Sequence, residues 1–151
     1  MSAPITRIRV GSDHAAIALR QAVVRHLREG GFEVSEVGPA PGERSDYPDA
    51  ASDVGRAVVD GRADRGVLVC GTGIGVSIAA NKVPGVRAAL VHDPVTARLA
   101  AEHNGAQVLC LGGRLMAVEY ALELVDIWLQ TGFEARHQAR LDKITALEAG
   151  S

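Results

Sequence analysis

Hydrophobic positions along the chain fall into two alternating kinds of segment. Short runs, either apolar throughout or alternating apolar with polar residues, have the length of strands, whereas longer runs repeat their apolar residues at helical spacing. The short runs predict strands at residues 5–10, 33–37, 66–70, 87–91 and 108–111. The longer runs predict helices at residues 15–29, 49–60, 76–82, 94–104, 115–131 and 135–149. This alternation predicts an α/β fold whose parallel sheet is covered by helices on both faces.

The predicted elements succeed one another without a linker, an internal repeat or a low-complexity tract. Residues 1–151 are therefore expected to form a single domain. The last predicted helix has no strand after it that would return the chain to the sheet. We expect this C-terminal helix to pack on a partner subunit.

Composition narrows the classes of protein that fit. Apolar residues make up 47% of the chain and charged residues 23%, as in globular proteins, and a net charge of -2 argues against a nucleic-acid binder. No apolar stretch approaches the ~20 residues that cross a bilayer, and residues 1–6 carry no apolar signal region. Cys70 and Cys110 are too few for a disulfide framework and fit reduced thiols. We expect a cytoplasmic protein.

Polar residues come directly after four of the predicted strands. Parallel sheets bind ligands at the carboxyl ends of their strands, so these residues are candidates for a common site. A carboxylate, imidazoles, a thiol and a guanidinium are expected to converge on one rim. The alternative is that each residue only caps a helix or fills a turn, but four such ends together favour a site. The segments are residues 11–14 (GSDH), 70–75 (CGTGIG), 92–93 (HD) and 112–114 (GGR).

The two cysteines differ in the residues that come after them. A free Cys in an apolar strand is commonly a small buried hydrophobe, which is our interpretation of Cys110. Cys70 precedes a glycine-rich turn and the start of a helix, where exposed amides and the helix dipole stabilise a thiolate. A thiolate is a competent base for a proton bound to carbon. Cys70 is therefore a candidate catalytic base.

The GTGIG turn at residues 71–75 is suited to hold an anion, either a phosphate or an enediolate oxygen. It is not the dinucleotide fingerprint, because Val76 stands where a third glycine is needed and the turn comes after the third strand. Asp93 nevertheless lies at a distance that suits a ribose contact, so a non-catalytic nucleotide- or anion-binding module remains an alternative. A thiol redox protein is disfavoured because the chain lacks a C-x-x-C pair.

Two further groups of residues allow both a functional and a structural interpretation. His103 and Asn104 close the fourth predicted helix, where a histidine often only compensates the helix dipole. Arg136 and Arg140 are four residues apart on the last predicted helix and share one face. That face is either solvated or a phosphate clamp, for which the forked guanidinium is suited. No set of His, Cys and carboxylate residues has the spacing of a metal site.

Six stretches carry a resemblance to a known family. They are GSDHA (residues 11–15), ERSDYP (43–48), CGTGIGVSIAANK (70–82), EHN (102–104), LGGR (111–114) and RHQAR (136–140). In this order they resemble the type B ribose-5-phosphate isomerases and their relatives that isomerise galactose and allose 6-phosphates. The stretches extend over most of the chain, and the thirteen-residue one that begins at Cys70 is long and specific.

The resemblance implies a Rossmann-like three-layer α/β/α sandwich with a five-stranded parallel sheet. It implies a homodimer or homotetramer with active sites shared between subunits, and no cofactor or metal. From the charge and the hydropathy we expect no nucleic-acid or membrane partner. The implied reaction converts D-ribose 5-phosphate to D-ribulose 5-phosphate through a cis-enediolate. Tetrose, allose and galactose phosphates remain alternative substrates.

The resemblance also assigns roles to individual residues. Cys70 matches the catalytic base, and since a glutamate used by other members would fall at Val76, the chain is similar to the cysteine type. His103 matches the residue that opens the sugar ring, and Thr72 belongs to the turn that stabilises the enediolate. The implied substrate-binding residues are Asp13, His14, Tyr47, Gly71, Gly73, Gly75, Asn104, Arg114, Arg136, His137 and Arg140.

Overall fold

The computed structural model describes residues 3–150, which form strands and helices in the predicted order. The strands are Arg7–Ser12 (β1), Glu33–Val37 (β2), Arg65–Cys70 (β3), Ala88–Leu90 (β4) and Val108–Gly112 (β5). The helices are Ile17–Glu29 (α1), Tyr47–Val59 (α2), Ile74–Ala80 (α3), Pro94–Glu102 (α4), Val118–Gln130 (α5) and Gln138–Glu148 (α6). Short 3-10 helices precede α1 and α6, at His14–Ala16 and Ala135–His137.

Helix boundaries depart from the sequence prediction by up to three residues, and three of the differences have identifiable reasons. α2 begins two residues early, at Tyr47, because Pro48 is tolerated in the first turn of a helix. α5 begins at Val118 because the preceding residues form a turn that is bonded to β3. The predicted last helix divides into a 3-10 turn and α6, so Arg136 and Arg140 lie on different segments rather than on one helical face.

All five strands pair in parallel in the order β2-β1-β3-β5-β4, which confirms the predicted sheet. The order of connection reverses between β1 and β3, and ligands of open α/β sheets bind at such a switch point. The register pairs Ser12 with Val69 and Cys70 with Gly112. The carboxyl ends of β1, β3 and β5 are therefore level with one another.

The sheet separates two apolar cores, as a three-layer sandwich requires. On one face α1, α4 and α5 bury a larger cluster that includes Val23, Leu124 and Trp128. On the other face α2 and α3 bury a smaller cluster around Val54 and Val76. The helices thus hold both faces of the sheet and leave its carboxyl edge open.

A buried guanidinium fixes the segment between β2 and α2. Arg20 is 5% exposed and donates hydrogen bonds to Glu36 (3.2 Å), Ser12 Oγ (2.9 Å) and the carbonyl oxygen of Pro39 (2.8 Å). Gly38 lies beside it at φ +143°, where a Cβ would come within 2.7 Å of the Ser12 carbonyl oxygen. Only glycine fits this position, and the segment is held against the end of β1.

Helix α6 lies outside both cores. Leu141 is its buried residue, whereas Ile144 and Leu147 are exposed. Between α6 and the edge strand β4 runs an open groove of about 620 Å³. Packing of this helix on a partner subunit stays a prediction. Within residues 3–150 no helix combines the length and the apolar character needed to span a lipid bilayer.

Candidate active site

An open pocket of about 460 Å³ lies where β1 and β3 end. It gathers a thiol, a carboxylate, an imidazole, a phenol and a guanidinium, which is most of the predicted rim. The candidate residues that line it are Asp13, His14, Tyr47, Cys70, Gly71, Thr72, Gly75 and Arg114. Among residues 3–150, those that line the larger groove beside α6 include no thiol or imidazole, so the smaller pocket is the candidate centre for chemistry.

Cys70 is the last residue of β3 and is 5% exposed. Its Sγ accepts a hydrogen bond from the amide of Gly73 at 3.2 Å, so a backbone donor faces the sulfur atom in the pocket. Cys110 contrasts with it, because full burial raises the pKa of the Cys110 thiol. Cys110 is part of the core, as predicted, and stays protonated.

The turn after Cys70 depends on glycine at its centre. Gly73 has φ +80°, and a Cβ there would lie 2.6 Å from Leu90 Cδ1 and 2.9 Å from the carbonyl carbon of Leu111. Such a conformation is costly for any other residue. The close packing against β4 and β5 therefore fixes the amide that contacts the Cys70 sulfur.

Thr72 and Tyr47 complete the turn. The hydroxyl oxygen of Thr72 accepts a hydrogen bond from the amide of Ile74 at 3.2 Å. The ring of Tyr47, the first residue of α2, lies so close to Gly75 that a Cβ there would be 2.6 Å from its Cε1 atom. The phenol ring thereby forms one wall of the pocket.

Asp13 and His14 come from the end of β1. Asp13 is 7% exposed, and its Oδ1 accepts a hydrogen bond from the amide of Ala15 at 3.0 Å, which caps the short 3-10 helix. His14 Nδ1 lies 2.8 Å from the carbonyl oxygen of Ser45. When Nδ1 carries the proton it donates to this carbonyl, and Nε2 is left free to accept a hydrogen bond from a ligand.

Arg114 enters the pocket from the end of β5. Its amide donates to the carbonyl oxygen of Gly71 at 2.9 Å, and the amide of Gly113 donates to that of Cys70 at 2.8 Å. The guanidinium lies over Gly71, with Nη1 3.2 Å from the place of a Cβ. Among residues 3–150, Arg114 is the one Lys or Arg that lines this pocket.

The other five candidate residues form a second cluster. His103 comes directly after α4, and its ring centroid lies 4.3 Å from that of His137. Arg140 Nη1 is 3.1 Å from His137 Nδ1, and Arg136 pairs with Glu134. Asn104 is the next residue after His103. This cluster brings together the two imidazoles and the two arginines that the sequence marked separately.

His137 is a buried donor in this cluster. It is 2% exposed, and burial together with the charges of Arg136, His103 and Arg140 lowers its pKa, so the ring is neutral at pH 7. With Arg140 donating to Nδ1, the proton lies on Nε2, which makes no hydrogen bond within residues 3–150; a Glu134 carboxylate oxygen lies 3.8 Å from it, beyond hydrogen-bond distance. An unpaired buried donor is costly, so a ligand acceptor is expected there.

The same cluster has donor atoms that a metal ion would need. One atom each of His103, Glu134 and His137 lie within 4.8 Å of one another. Arg136 occupies the Glu134 carboxylate, however, and Arg140 occupies the second nitrogen of His137. Two guanidinium groups at this place favour an anion over a cation.

The two clusters lie at opposite ends of the strands. The Cys70 pocket is at the carboxyl ends, and the cluster around His103 and His137 is at the amino ends. α4 starts beyond the carboxyl end of β4 and runs back, so His103 at its end is close to the beginning of β5. The two residues that follow His103 are Asn104 and Gly105. Their carbonyl oxygens accept hydrogen bonds from the guanidinium of Arg87, the residue directly before β4. The length of β5 alone separates the clusters by ~13 Å. Within one chain they do not form a single pocket.

The rim expectation was wrong for His92 and Asp93. Asp93 caps α4 by accepting a hydrogen bond from the amide of Thr96 at 2.7 Å. His92 lines a separate hollow with Leu115 and Tyr120. The strand before them, β4, is at the edge of the sheet, and β5 lies between it and Cys70.

Arg20 was not among the residues predicted from the sequence, although its guanidinium holds the end of β1 against the segment that leads to Tyr47. A signal existed, because Arg20 falls four residues after Ala16 and three before Val23, on the apolar stripe of α1. A charged residue on a core-facing stripe is expected only where it is fully bonded, and the contacts of Arg20 meet that condition.

Replacing Gly73 by alanine is expected to lower kcat by roughly tenfold to a hundredfold, because the Cβ displaces the turn and with it the amide at Cys70. The matched control is Gly61→Ala, since Gly61 has φ +78° and nothing within 4 Å of its Cβ position. Both variants carry the strain of a positive φ, and thermal unfolding measures it. Equal kcat values for the two variants would remove the catalytic role of the turn.

Comparisons with known proteins give a consistent result. The family described as Ribose/Galactose Isomerase matches residues 8–144. The chain is 46% identical over 143 residues to ribose-5-phosphate isomerase B of Escherichia coli (strain K12), which covers 94% of this chain and 96% of that protein. It is 42% identical over 139 residues, 91% of each chain, to D-erythrulose-4-phosphate isomerase of Pectobacterium atrosepticum. The structure of Clostridium thermocellum ribose-5-phosphate isomerase B superposes with a TM-score of 0.94 at 43% identity, covering 96% of this chain and 99% of that one.

Proposed function

The chain belongs to the ribose/galactose isomerase family, and from that premise we propose that it interconverts D-ribose 5-phosphate and D-ribulose 5-phosphate with Cys70 as the base. The single observation that carries the mechanism is the Cys70 sulfur, held in the pocket by the Gly73 amide. The aldose and the ketose are at the same oxidation level, so the reaction needs proton transfers and no redox cofactor.

The Cys70 thiolate removes the proton from C2 of the open-chain aldose. The electron pair enters the C1–C2 bond, and negative charge develops on O1, giving a cis-enediolate. The thiol then returns the proton to C1, while O2 gives up its proton to O1 and becomes the ketose carbonyl. The Thr72 hydroxyl stabilises the charged oxygen together with those amides of the turn at residues 71–75 that are not bonded to Cys70 or Thr72; an oxyanion donor of this kind contributes about 10²–10³-fold.

Ring opening requires a separate acid and base, because the ribose ring must yield its aldehyde before C2 becomes acidic. His103 is the candidate, supported by its place beside His137 and by the solvent access that an incoming ring needs. Asn104 is adjacent and supplies an amide for a substrate hydroxyl. Asp13 and His14 bind hydroxyl groups from the other side, next to Cys70.

The phosphate is bound by the arginines and by the buried imidazole. His137 Nε2 is a donor that lacks a partner within residues 3–150, and Arg136 and Arg140 flank it. A phosphate offers acceptors to all three groups, which removes the cost of the unpaired donor. Arg114 adds positive charge from the pocket that holds Cys70.

A complete site therefore needs two subunits. A five-carbon sugar phosphate is shorter than the ~13 Å that separates the two clusters along the strands. Cys70 and the arginines of one chain therefore do not reach the same molecule. In a symmetric dimer the cluster at residues 103–104 and 136–140 of one subunit meets the Cys70 pocket of the other. The exposed Ile144 and Leu147 on α6 give that helix an apolar surface for the partner. The assembly is a homodimer, or a homotetramer built from two such dimers.

The substrate class has one specific competitor. A relative named D-erythrulose-4-phosphate isomerase is nearly as similar as the ribose-5-phosphate isomerase B from E. coli, so a tetrose phosphate is the second candidate. The nucleotide-binding alternative loses its main support, because Asp93 is engaged as a helix cap. Cys70 must stay reduced to act as a base, which fits a cytoplasmic location.

In a panel of four-, five- and six-carbon aldose phosphates, ribose 5-phosphate is expected to give the highest kcat/KM. The pocket and the phosphate cluster are fixed by the dimer, so the chain length that fits both is fixed as well. Initial rates of ketose formation measure the ranking, with Cys70→Ala protein as the blank. A higher kcat/KM on erythrose 4-phosphate or on a hexose 6-phosphate would replace the substrate, and no turnover of any sugar phosphate would remove the proposed reaction.

A further inference from the structure

We infer that Arg87 is a positioning residue for ring opening: its guanidinium holds the turn that carries His103 and Asn104. The inference rests on the proposed function and adds to it a residue that touches neither substrate nor base. Arg87 directly precedes the edge strand β4. It therefore lies at the amino ends of the strands, as does the cluster formed by residues 103–104 and 136–140.

Both arms of the Arg87 fork are used on consecutive carbonyl groups. Nε donates to the carbonyl oxygen of Asn104 at 3.0 Å, and Nη2 donates to that of Gly105 at 2.9 Å. Gly105 has φ +51°, so the chain reverses here between α4 and β5. The fork therefore sets the path of the backbone directly after His103.

The base of the Arg87 side chain is itself fixed. Its amide donates to Gln107 Oε1 at 2.7 Å, its carbonyl oxygen accepts from the Gln107 amide at 3.1 Å, and Gln107 Nε2 donates to the Gly85 carbonyl oxygen at 2.9 Å. The guanidinium thus extends from a backbone whose N–H and C=O are both hydrogen-bonded to Gln107. On the other side of His103, its amide donates a hydrogen bond to the carbonyl oxygen of Leu99 at 2.9 Å. His103 therefore lies between α4 and the turn that Arg87 holds.

The clamp is held at an energetic cost. Arg87 is half-buried, burial lowers its pKa more than the nearby Glu148 raises it, and among residues 3–150 no carboxylate oxygen lies within 4.0 Å of its nitrogens. Partial burial of a charge without a paired counter-charge is unfavourable. The two carbonyl oxygens of the turn offset this cost by accepting hydrogen bonds from the guanidinium. Lysine, with one compact ammonium group, does not reproduce the fork.

Two assays separate ring opening from proton transfer. Isomerisation of ribose 5-phosphate starts from a closed ring. Ribulose 5-phosphate is open, because its 5-hydroxyl carries the phosphate, and exchange of its C1 proton with D₂O needs only the base and the enediolate site. Nuclear magnetic resonance measures this exchange directly. A residue that acts through His103 affects the first assay far more than the second.

Arg87→Met is expected to lower kcat for ribose 5-phosphate by roughly tenfold to a hundredfold, as a misplaced catalytic group does, with C1 exchange within about threefold of wild type. His103→Ala should give the same split. Arg87→Lys should be intermediate. The matched control is Arg65→Met: Arg65 is also half-buried at this edge, but its bond goes to its neighbour Asp64 and not to the turn. It should leave both assays unchanged.

Each outcome decides between the interpretations. Loss of both activities in parallel, or of neither, in folded Arg87→Met protein would overturn the positioning role. If the Met variant does not fold, Arg87→Lys decides by the same split. Wild-type protein that neither isomerises ribose 5-phosphate nor exchanges the C1 proton would reject the proposed function, and the inference with it. Wild-type activity with no split in the variants rejects the inference alone.

Discussion

Cys70→Ala is expected to lower kcat for ribose 5-phosphate by about 10²–10⁴-fold, the contribution of a positioned base. The sulfur is the group in the pocket that takes the proton from carbon, and alanine leaves nothing at that place to accept it. Substrate affinity should change little, because the phosphate and hydroxyl contacts come from other side chains. Steady-state kinetics give kcat, and the thermal shift produced by ribose 5-phosphate reports binding.

Three comparisons make this result specific. Cys70→Ser should be nearly as inactive, because a serine hydroxyl is far less acidic than a thiol and scarcely forms the deprotonated base at neutral pH. Cys110→Ala should keep wild-type kcat, since Cys110 is buried in the core and its burial raises the pKa of its thiol. Circular dichroism should show the same folded spectrum for all three. Wild-type kcat in folded Cys70→Ala protein would mean that another group is the base.

Mixing two inactive variants is expected to restore activity. Cys70→Ala protein lacks the base, and an Arg136→Glu/Arg140→Glu double variant repels the phosphate. A hybrid dimer has one site that takes Cys70 from the second chain and both arginines from the first, and this site is intact. Random exchange makes half of the dimers hybrids, so about a quarter of wild-type activity should return. Activity returns because the length of a strand separates the two clusters within one chain, so each site combines residues of two chains.

Subunit exchange has to be verified in the same sample, for instance by native mass spectrometry of chains that differ in mass. Cys70→Ala mixed with Cys70→Ser is the negative control, because no hybrid of these chains contains the sulfur. The shared site is excluded if hybrids form and no activity returns above this control. The phosphate contacts would then lie in the same chain as the base.

Hydrophobic periodicity located all five strands to within two residues. This works because β3 and β5 are nearly continuous buried apolar runs, whereas β1 and the start of β2 alternate apolar with polar residues at the period of a strand. Helix starts were less accurate. The sequence extends α5 back to Leu115, but the amide of Arg114 bonds Gly71, some forty residues earlier in the chain, and the bend this requires delays the helix to Val118. Local pattern does not contain such a contact.

The Cys70 pocket was predictable for the same local reason. Cys70 and its glycine turn are contiguous, and their chemistry depends on amides within three residues of the sulfur. Asp13 and Arg114 were placed at the same rim because they end strands of one parallel sheet. His92 also ends a strand, yet it is absent from the pocket, because strand order is decided by how the crossovers pack and not by order in the chain.

The sequence by itself therefore determined the layers of the fold, the strand ends and the residues of the Cys70 turn, all of which depend on short-range pattern. It also marked His103 and Arg140, but not their place in relation to the base. Only the tertiary structure decided that. A helix between parallel strands runs against them, so a residue at its end lies one strand length from the carboxyl edge. That geometry sets His103 and the Arg87 clamp at the opposite ends of the strands from Cys70, and Arg140 lies with them through its contact with His137.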